Sequence, residues 1–237
     1  MTVKVPMGSA KSMETKKSFL GKGIYSLQEA SLLTKVNVTR IRRWLAGYGY
    51  AYKGKHRDHP PVWRGQARRQ SRPLTLTFLD LLEVRFVDAF RNQGVSLPII
   101  RKVALKAREE LGIEYPFVSL RFKTDGRQIF RGVGGTTYEF LSEQSYFEKL
   151  IQPFLSGVDF DQDVAIRWWP LAKGRQVVLD PERCFGKPIV FDAGVPTVIL
   201  AQAYTVEHDE NSVARWFKVG RAAVRDAVEF EEGLRAA

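Results

Sequence analysis

The chain has one cysteine, Cys184, three histidines, and no uncharged apolar run of the length that a membrane-spanning helix needs. A lone cysteine excludes an intramolecular disulfide and a thiolate zinc site within one chain, which fits a reducing, cytoplasmic setting. The longest apolar-rich stretch, Pro188 to Tyr204, is broken by Asp192 and Gln202. Residues 1–23 carry lysines without an apolar segment, so a flexible basic tail is expected there rather than a secretory signal. No histidine stands with a Ser or Cys and an acid in a recognisable nucleophile motif, and neither catalysis nor a cofactor is expected. A metal site is not expected either. His56 and His59 lack a third ligand nearby, and Asp159, Asp161 and Asp163 begin like a calcium loop but have Val164 and Pro170 where glycine and glutamate are needed. The run Gly132-Val133-Gly134-Gly135 opens no helix, which leaves a loose turn rather than a phosphate loop.

What is present is a chain of 237 residues with 44% hydrophobic and 12% aromatic residues, enough for a sizeable core. Its net charge of +11 is unevenly placed. Residues 1–72 hold 16 Lys and Arg against three acids, Glu14, Glu29 and Asp58, whereas residues 73–237 are net −2. Because 11 of those 16 cations follow Lys22, the tail alone does not account for the excess. Such asymmetry predicts a nucleic-acid-facing end joined to a part with another task.

Ser26 and Glu29 have capping-box spacing, and Leu27, Ala30 and Leu33 recur at helical spacing, which predicts a short amphipathic helix. Asn37 can cap a second helix ending at Gly47. On that helix Val38, Ile41 and Leu45 form an apolar stripe with Trp44 at its edge. Thr39, Arg40 and Arg43 project to the other side and Arg42 flanks it, as a recognition helix requires. Tyr48, Tyr50 and Tyr52 alternate at strand spacing before Lys53, Lys55, His56 and Arg57, so residues 48–72 read as a hairpin with a basic tip suited to phosphate contacts. Two longer helices are predicted across 74–112, the second opened by Ser96 and Pro98.

Beyond residue 112 the expectation is a small α+β middle segment, 113–175. Phe117 to Lys123 and Arg127 to Arg131, separated by Thr124-Asp125-Gly126, predict a hairpin; a short helix to Leu155 and strands over Val164–Trp169 and Gln176–Leu179 follow. On the last helix Val224, Ala227, Val228 and Leu234 form the expected packed side, leaving Arg225, Asp226, Glu229 and Glu232 outward. Residues 205–237 hold seven acids against five Lys and Arg, so phosphate repulsion opposes DNA docking there and a protein partner suits it better. Trp216, Arg225 and Glu229 are the candidate partner-binding residues, with Trp216 and Phe217 able to serve equally as core.

Tyr25 to Ala30, Arg42-Arg43-Trp44 and Gly94 to Arg101 resemble the signature stretches of the MerR-type winged-helix DNA-binding domain across residues 24–112. Val178 to Pro181, Phe185 to Val190, Ala193 to Thr197, Asn211 to Phe217 and Val224 to Phe230 resemble a family of small helix-turn-helix-like domains, here 176–237. Where that family's motif carries Gly-Thr-Arg, this chain has Asp192-Ala193-Gly194. Together the segments are similar to the long VapB-type antitoxins. That resemblance implies an α+β, mainly α fold, a PIN-domain ribonuclease toxin as protein partner, binding to operator DNA as an autorepressor, and a homodimer. Thr39, Arg40, Arg42, Arg43, Lys53, Lys55 and Arg57 are the expected DNA-binding residues. A stand-alone regulator controlled by a small effector at the middle segment, and a partnerless nucleic-acid-binding protein, are the alternatives.

Overall fold

The computed structural model describes residues 22–63, 74–134 and 143–236. The expected basic tail, the hairpin's continuation beyond Trp63 and Gly135 of the glycine run lie outside the described residues. Within them the chain is α+β and mainly helical.

The head starts with β1 (Tyr25–Ser26), α1 (Leu27–Thr34), α2 (Val38–Ala46) and the antiparallel pair β2 (Tyr48–Tyr52) and β3 (Lys55–His59). Then come β4 (Thr75–Leu76), α3 (Phe78–Asn92) and α4 (Leu97–Leu111). Local chemistry sets the boundaries. The Ser26 hydroxyl accepts from Glu29 N at 3.2 Å while the Glu29 carboxylate accepts from Ser26 N at 2.8 Å, and Thr77 and Asp80 close the same box at the start of α3. β1 pairs with β4, bringing Tyr25 opposite Leu76 and tying the first helix to the third.

The stretch 117–131 is helical, which corrects the expected hairpin. After a tight turn at Pro116–Val118, α5 runs from Leu120 to Gly134 and therefore absorbs Gly132 to Gly134 as well. Asp125-Gly126 imitates a strand-linking turn in the sequence, but Gly126 is buried because the helix packs closely there. A Cβ on it would lie 2.8 Å from the Phe147 ring and 2.9 Å from the Phe122 ring. Phe122, Gly126, Ile129 and Phe130 thus share one buried helical face, and the helical period prevails over the turn signal. The rings of Phe90, Phe117, Phe122 and Phe130 meet at centroid distances of 4.9 to 6.3 Å, forming the centre of the larger core.

The predicted helix to Leu155 is α6 (Gln144–Leu155). Strands β5 (Val158–Asp161), β6 (Val164–Trp168), β7 (Val177–Leu179) and β8 (Pro188–Val190) make one antiparallel sheet in sequential order, spanning both sides of position 175. Asp159 and Asp161 lie on its first strand, not in an irregular loop. Arg85 on α3 joins helices to sheet, its guanidinium 4.2 Å from the Trp168 ring centroid and 5.2 Å from that of Phe154. Burial brings its pKa down to about 10.

Three helices end the chain: α7 (Thr197–Glu207), α8 (Glu210–Phe217) and α9 (Arg221–Arg235). They enclose a second, smaller core of Val190, Leu200, Val213, Ala214, Ala223, Val224 and Ala227. This unit is fastened to the head through the connection before β8. The Tyr25 hydroxyl donates to Gly186 O at 2.6 Å, Ile24 N donates to Phe185 O at 3.1 Å, and Lys187 pairs with Glu29. Gly186, at φ +79, is required by this approach, since a Cβ would come within 2.4 Å of the Tyr25 hydroxyl. Burial acts to raise the Glu29 pKa, but Lys187 and Ser26 outweigh it and hold the carboxyl below the usual range. No helix among the described residues is long and apolar enough to cross a membrane.

Candidate nucleic-acid interface

α2 is held by its caps and by one buried side. Asn37 Oδ1 accepts from Thr39 N at 2.8 Å, and Gly47 N donates to Arg43 O at 3.0 Å where the helix stops. Gly47 has φ +74, and a Cβ there would lie 2.4 Å from the His59 carbonyl, so the approach of the hairpin demands glycine. Ile41, Trp44 and Leu45 are buried, with Val38 only half-buried. Val38 still packs against the core, so the expected stripe is widened: Trp44 lies inside it rather than at its edge.

Of the named side chains, Thr39, Arg42 and Arg43 are exposed on α2, while Arg40 is half-buried. Its guanidinium lies 3.1 Å from Asp88 and 5.2 Å from the Trp44 ring centroid, tying α2 to α3. Arg43 lies 5.4 Å from the Tyr48 centroid, at the joint between helix and hairpin. Among the described residues no carboxylate pairs with Arg42 or Arg43. Lys53, Lys55 and Arg57 are exposed around the β2–β3 turn, so helix and hairpin present cations on neighbouring elements. Such a surface can place guanidinium forks against base edges and phosphates and ammonium groups along the backbone.

The register adds side chains that the alternation of tyrosines did not reveal. Tyr48 lies opposite His59, their rings 4.8 Å apart, and the Tyr50 ring stacks on His59 at 5.5 Å and 6°. His56 pairs with Asp58 at 2.9 Å. The hairpin's base is anchored where Val62 N donates to Trp44 O at 2.7 Å and Trp63 Nε1 donates to Asp80 Oδ1 at 2.8 Å. Only the strand register brings His59 to this stack. A third contact, Arg101 of α4 beside the Tyr48 hydroxyl, joins residues far apart in the sequence.

The C-terminal candidates occupy different settings. Trp216 is 60% exposed on α8 and Phe217 half-buried against the smaller core. Arg225 donates to Glu210 through Nε at 3.2 Å and Nη2 at 3.1 Å, locking α9 to the start of α8; hydrogen bonds from Arg225 hold the Glu210 pKa low. Glu229 pairs with Arg175. Asp226, expected outward, is buried instead: its carboxylate accepts from Arg175 Nε at 2.8 Å and from Gln176 N at 2.7 Å. The β6–β7 connection covers that part of the helix, so a charge that a helical wheel puts at the surface becomes an internal anchor.

A comparison with known protein families finds none that matches the chain. Among curated proteins, the chain is 23% identical over 227 residues to a Mycobacterium tuberculosis protein named "putative antitoxin VapB45", covering 87% of this chain and 92% of that one. Among solved structures, the crystal structure of Rv2018 from Mycobacterium tuberculosis has the same fold, with a TM-score of 0.62 and 21% identity over 86% of this chain and 96% of that one.

Proposed function

We propose that the chain is the antitoxin of a type II toxin-antitoxin pair: it binds and neutralises a PIN-domain ribonuclease and represses its own operon by binding operator DNA as a homodimer. In this reading it is a binding protein rather than an enzyme. The observation that carries the reading is the similarity to the named antitoxin over nearly the full length of both chains. The exposed cations of α2 and the hairpin support the DNA half, with Arg42 and Arg43 at base edges and Lys53, Lys55 and Arg57 on phosphates. Arg40, already paired with Asp88, orients α2. The exposed Trp216 supports a protein interface on the C-terminal unit.

The test is co-expression with the product of the neighbouring gene, capture through a tag on this chain, and identification of what is retained. Recovery of a stoichiometric PIN-domain protein that gains ribonuclease activity when this chain is removed is the expected outcome. Recovery of the chain alone, from a locus whose neighbour is no nuclease, would sink the reading.

A further inference from the structure

A cavity of about 410 Å³ lies where three parts of the chain meet: the α1–α2 turn with Lys35, Arg85 of α3 beside Trp168 of β6, and the last turns of α9. Arg85 is half-buried on its wall, the guanidinium 4.2 Å from the Trp168 ring centroid. Such a ring contact leaves the in-plane N–H donors of a guanidinium unused. Among the described residues nothing accepts from them: no carboxylate pairs with Arg85, no hydrogen bond reaches it, and burial is the only influence on its pKa. Nor are its nitrogens sealed off. The enclosed, unsatisfied side-chain atoms of the described residues belong to Glu83, Asp88 and Arg101, so the donors of Arg85 remain open to the space it lines. A largely enclosed cation without a counter-charge is costly, and an anion in the adjoining space removes that cost. Gly233, inside α9 on the same wall, is a second observation. A Cβ there would meet nothing within 4 Å, so no packing demands a glycine, although glycine costs a helix about 1 kcal/mol relative to alanine. Its effect is to leave the cavity unfilled.

We propose that this cavity binds a small phosphomonoester with an apolar body, its phosphate on the Arg85 guanidinium and the Lys35 ammonium and its body against Leu171, Phe230 and Leu234. Charge selects the class. Lys35 is exposed at the cavity and, like Arg85, has no acidic partner among the described residues, whereas the Glu229 carboxylate at the same cavity is taken by Arg175. Two uncompensated cations suit an anion of nearly two charges, which a phosphomonoester carries at neutral pH, better than a monocarboxylate. Arg85 offers a planar fork and Lys35 a mobile point charge, the two ways in which side chains hold a phosphate. The volume and the mainly apolar walls are those of a small-molecule site. With its pKa at about 10, Arg85 stays a cation at neutral pH. The occupant touches the head and the C-terminal unit at once, close to the Asn37 cap of α2, so its binding fixes that helix relative to α9.

The experiment is thermal unfolding and titration calorimetry on the full chain, without DNA or toxin, using phenyl phosphate as probe and inorganic phosphate and sodium benzoate at equal ionic strength as controls. Because neither partner is present, its failure is distinct from failure of the antitoxin reading. Phenyl phosphate at roughly ten times its dissociation constant should raise Tm by about 3–5 °C, and each control at the same concentration should raise it less. Arg85→Gln removes the charged fork and should weaken binding about tenfold or more. Lys35 is exposed at φ 59, so Lys35→Gly keeps the turn and should weaken binding about threefold. Gly233→Leu places its side chain in open space and should abolish the rise even if the Arg85 variant does not fold. No rise with phenyl phosphate, an equal rise with inorganic phosphate or benzoate, or an undiminished rise in Lys35→Gly or Gly233→Leu overturns the proposal.

Discussion

The head and the C-terminal unit each contain a short helix, a tight turn and a second helix, and they treat charge in opposite ways. Both turns pass through a lysine in the left-handed region, Lys35 at φ 59 and Lys218 at φ 54, but the helix after the first is capped by the Asn37 side chain whereas the helix after the second, α9, starts at Gly220 without a side-chain cap. In the head, Arg42 and Arg43 project from the second helix without an acidic partner among the described residues. In the C-terminal unit Arg221 and Arg225 both reach Glu210, and Arg175 is shared between Asp226 and Glu229. The backbone arrangement alone therefore does not create a nucleic-acid surface. Cations already engaged by carboxylates have little attraction left for phosphate, whereas exposed ones keep it.

The two regions also differ in how they are filled, and substitutions can expose that difference. The larger core is centred on phenylalanines, so Phe122→Ala should cost about 3–5 kcal/mol through lost burial and a cavity, measured by denaturant unfolding. Ala227→Gly in the smaller core should cost only about 1 kcal/mol, and a loss equal to that of Phe122→Ala would show that the two cores are not unlike. Asp226→Ala strips two hydrogen bonds from the β6–β7 connection and should cost about 2–3 kcal/mol by the same measurement. If stability were unchanged, its carboxylate would not be the anchor of the C-terminal unit.

On the head's exposed face the effect moves from folding to binding. Arg43→Ala should weaken operator binding by about 1–3 kcal/mol with the fold intact, and Lys55→Ala should mainly reduce the salt dependence, by about one unit of slope. Gel shifts across salt concentrations read both. Identical slopes for the wild type and Lys55→Ala would remove that lysine from the phosphate contacts.

A further effect, confined to the head, is set by pH. Burial pushes the Glu83 carboxyl up to about 8, with Phe117 N donating to it at 3.1 Å and Arg108 opposing the rise. The unfolded chain releases this proton near 4.5 and the folded chain only near 8, so the contribution to stability is complete below the lower value and is lost as pH rises through the interval. Asp80, also raised by burial, acts in the same direction. Tm should fall across that window, and Glu83→Gln should flatten the fall. A parallel slope in the variant would assign the dependence elsewhere. Smallest of all is Glu210→Gln, which releases two exposed arginines; Tm should hardly move, but sequence-blind DNA retention at low salt should increase. No increase would mean that the acidic surroundings, not the ion pairs, exclude DNA from this unit.

Features governed by neighbours in the chain are legible in the sequence itself. The caps at Ser26 and Asn37, the stop at Gly47, the exposed Thr39, Arg42 and Arg43, and the N-terminal charge excess all follow from composition or from residues within a few positions of one another, because caps, helix faces and turns are short-range chemistry. The tertiary structure decided the rest. It made Asp125-Gly126 a close-packed point of α5, because the Phe122 and Phe147 rings lie against the glycine. It turned Asp226 inward to Arg175, engaged Arg40 with Asp88, and buried Nε and Nη2 of Arg101 without a hydrogen-bond partner. Those outcomes depend on partners distant in the chain, 51 residues apart for Arg175 and Asp226, and periodicity cannot reveal which distant side chain will cover, pair with or fail to satisfy a given group.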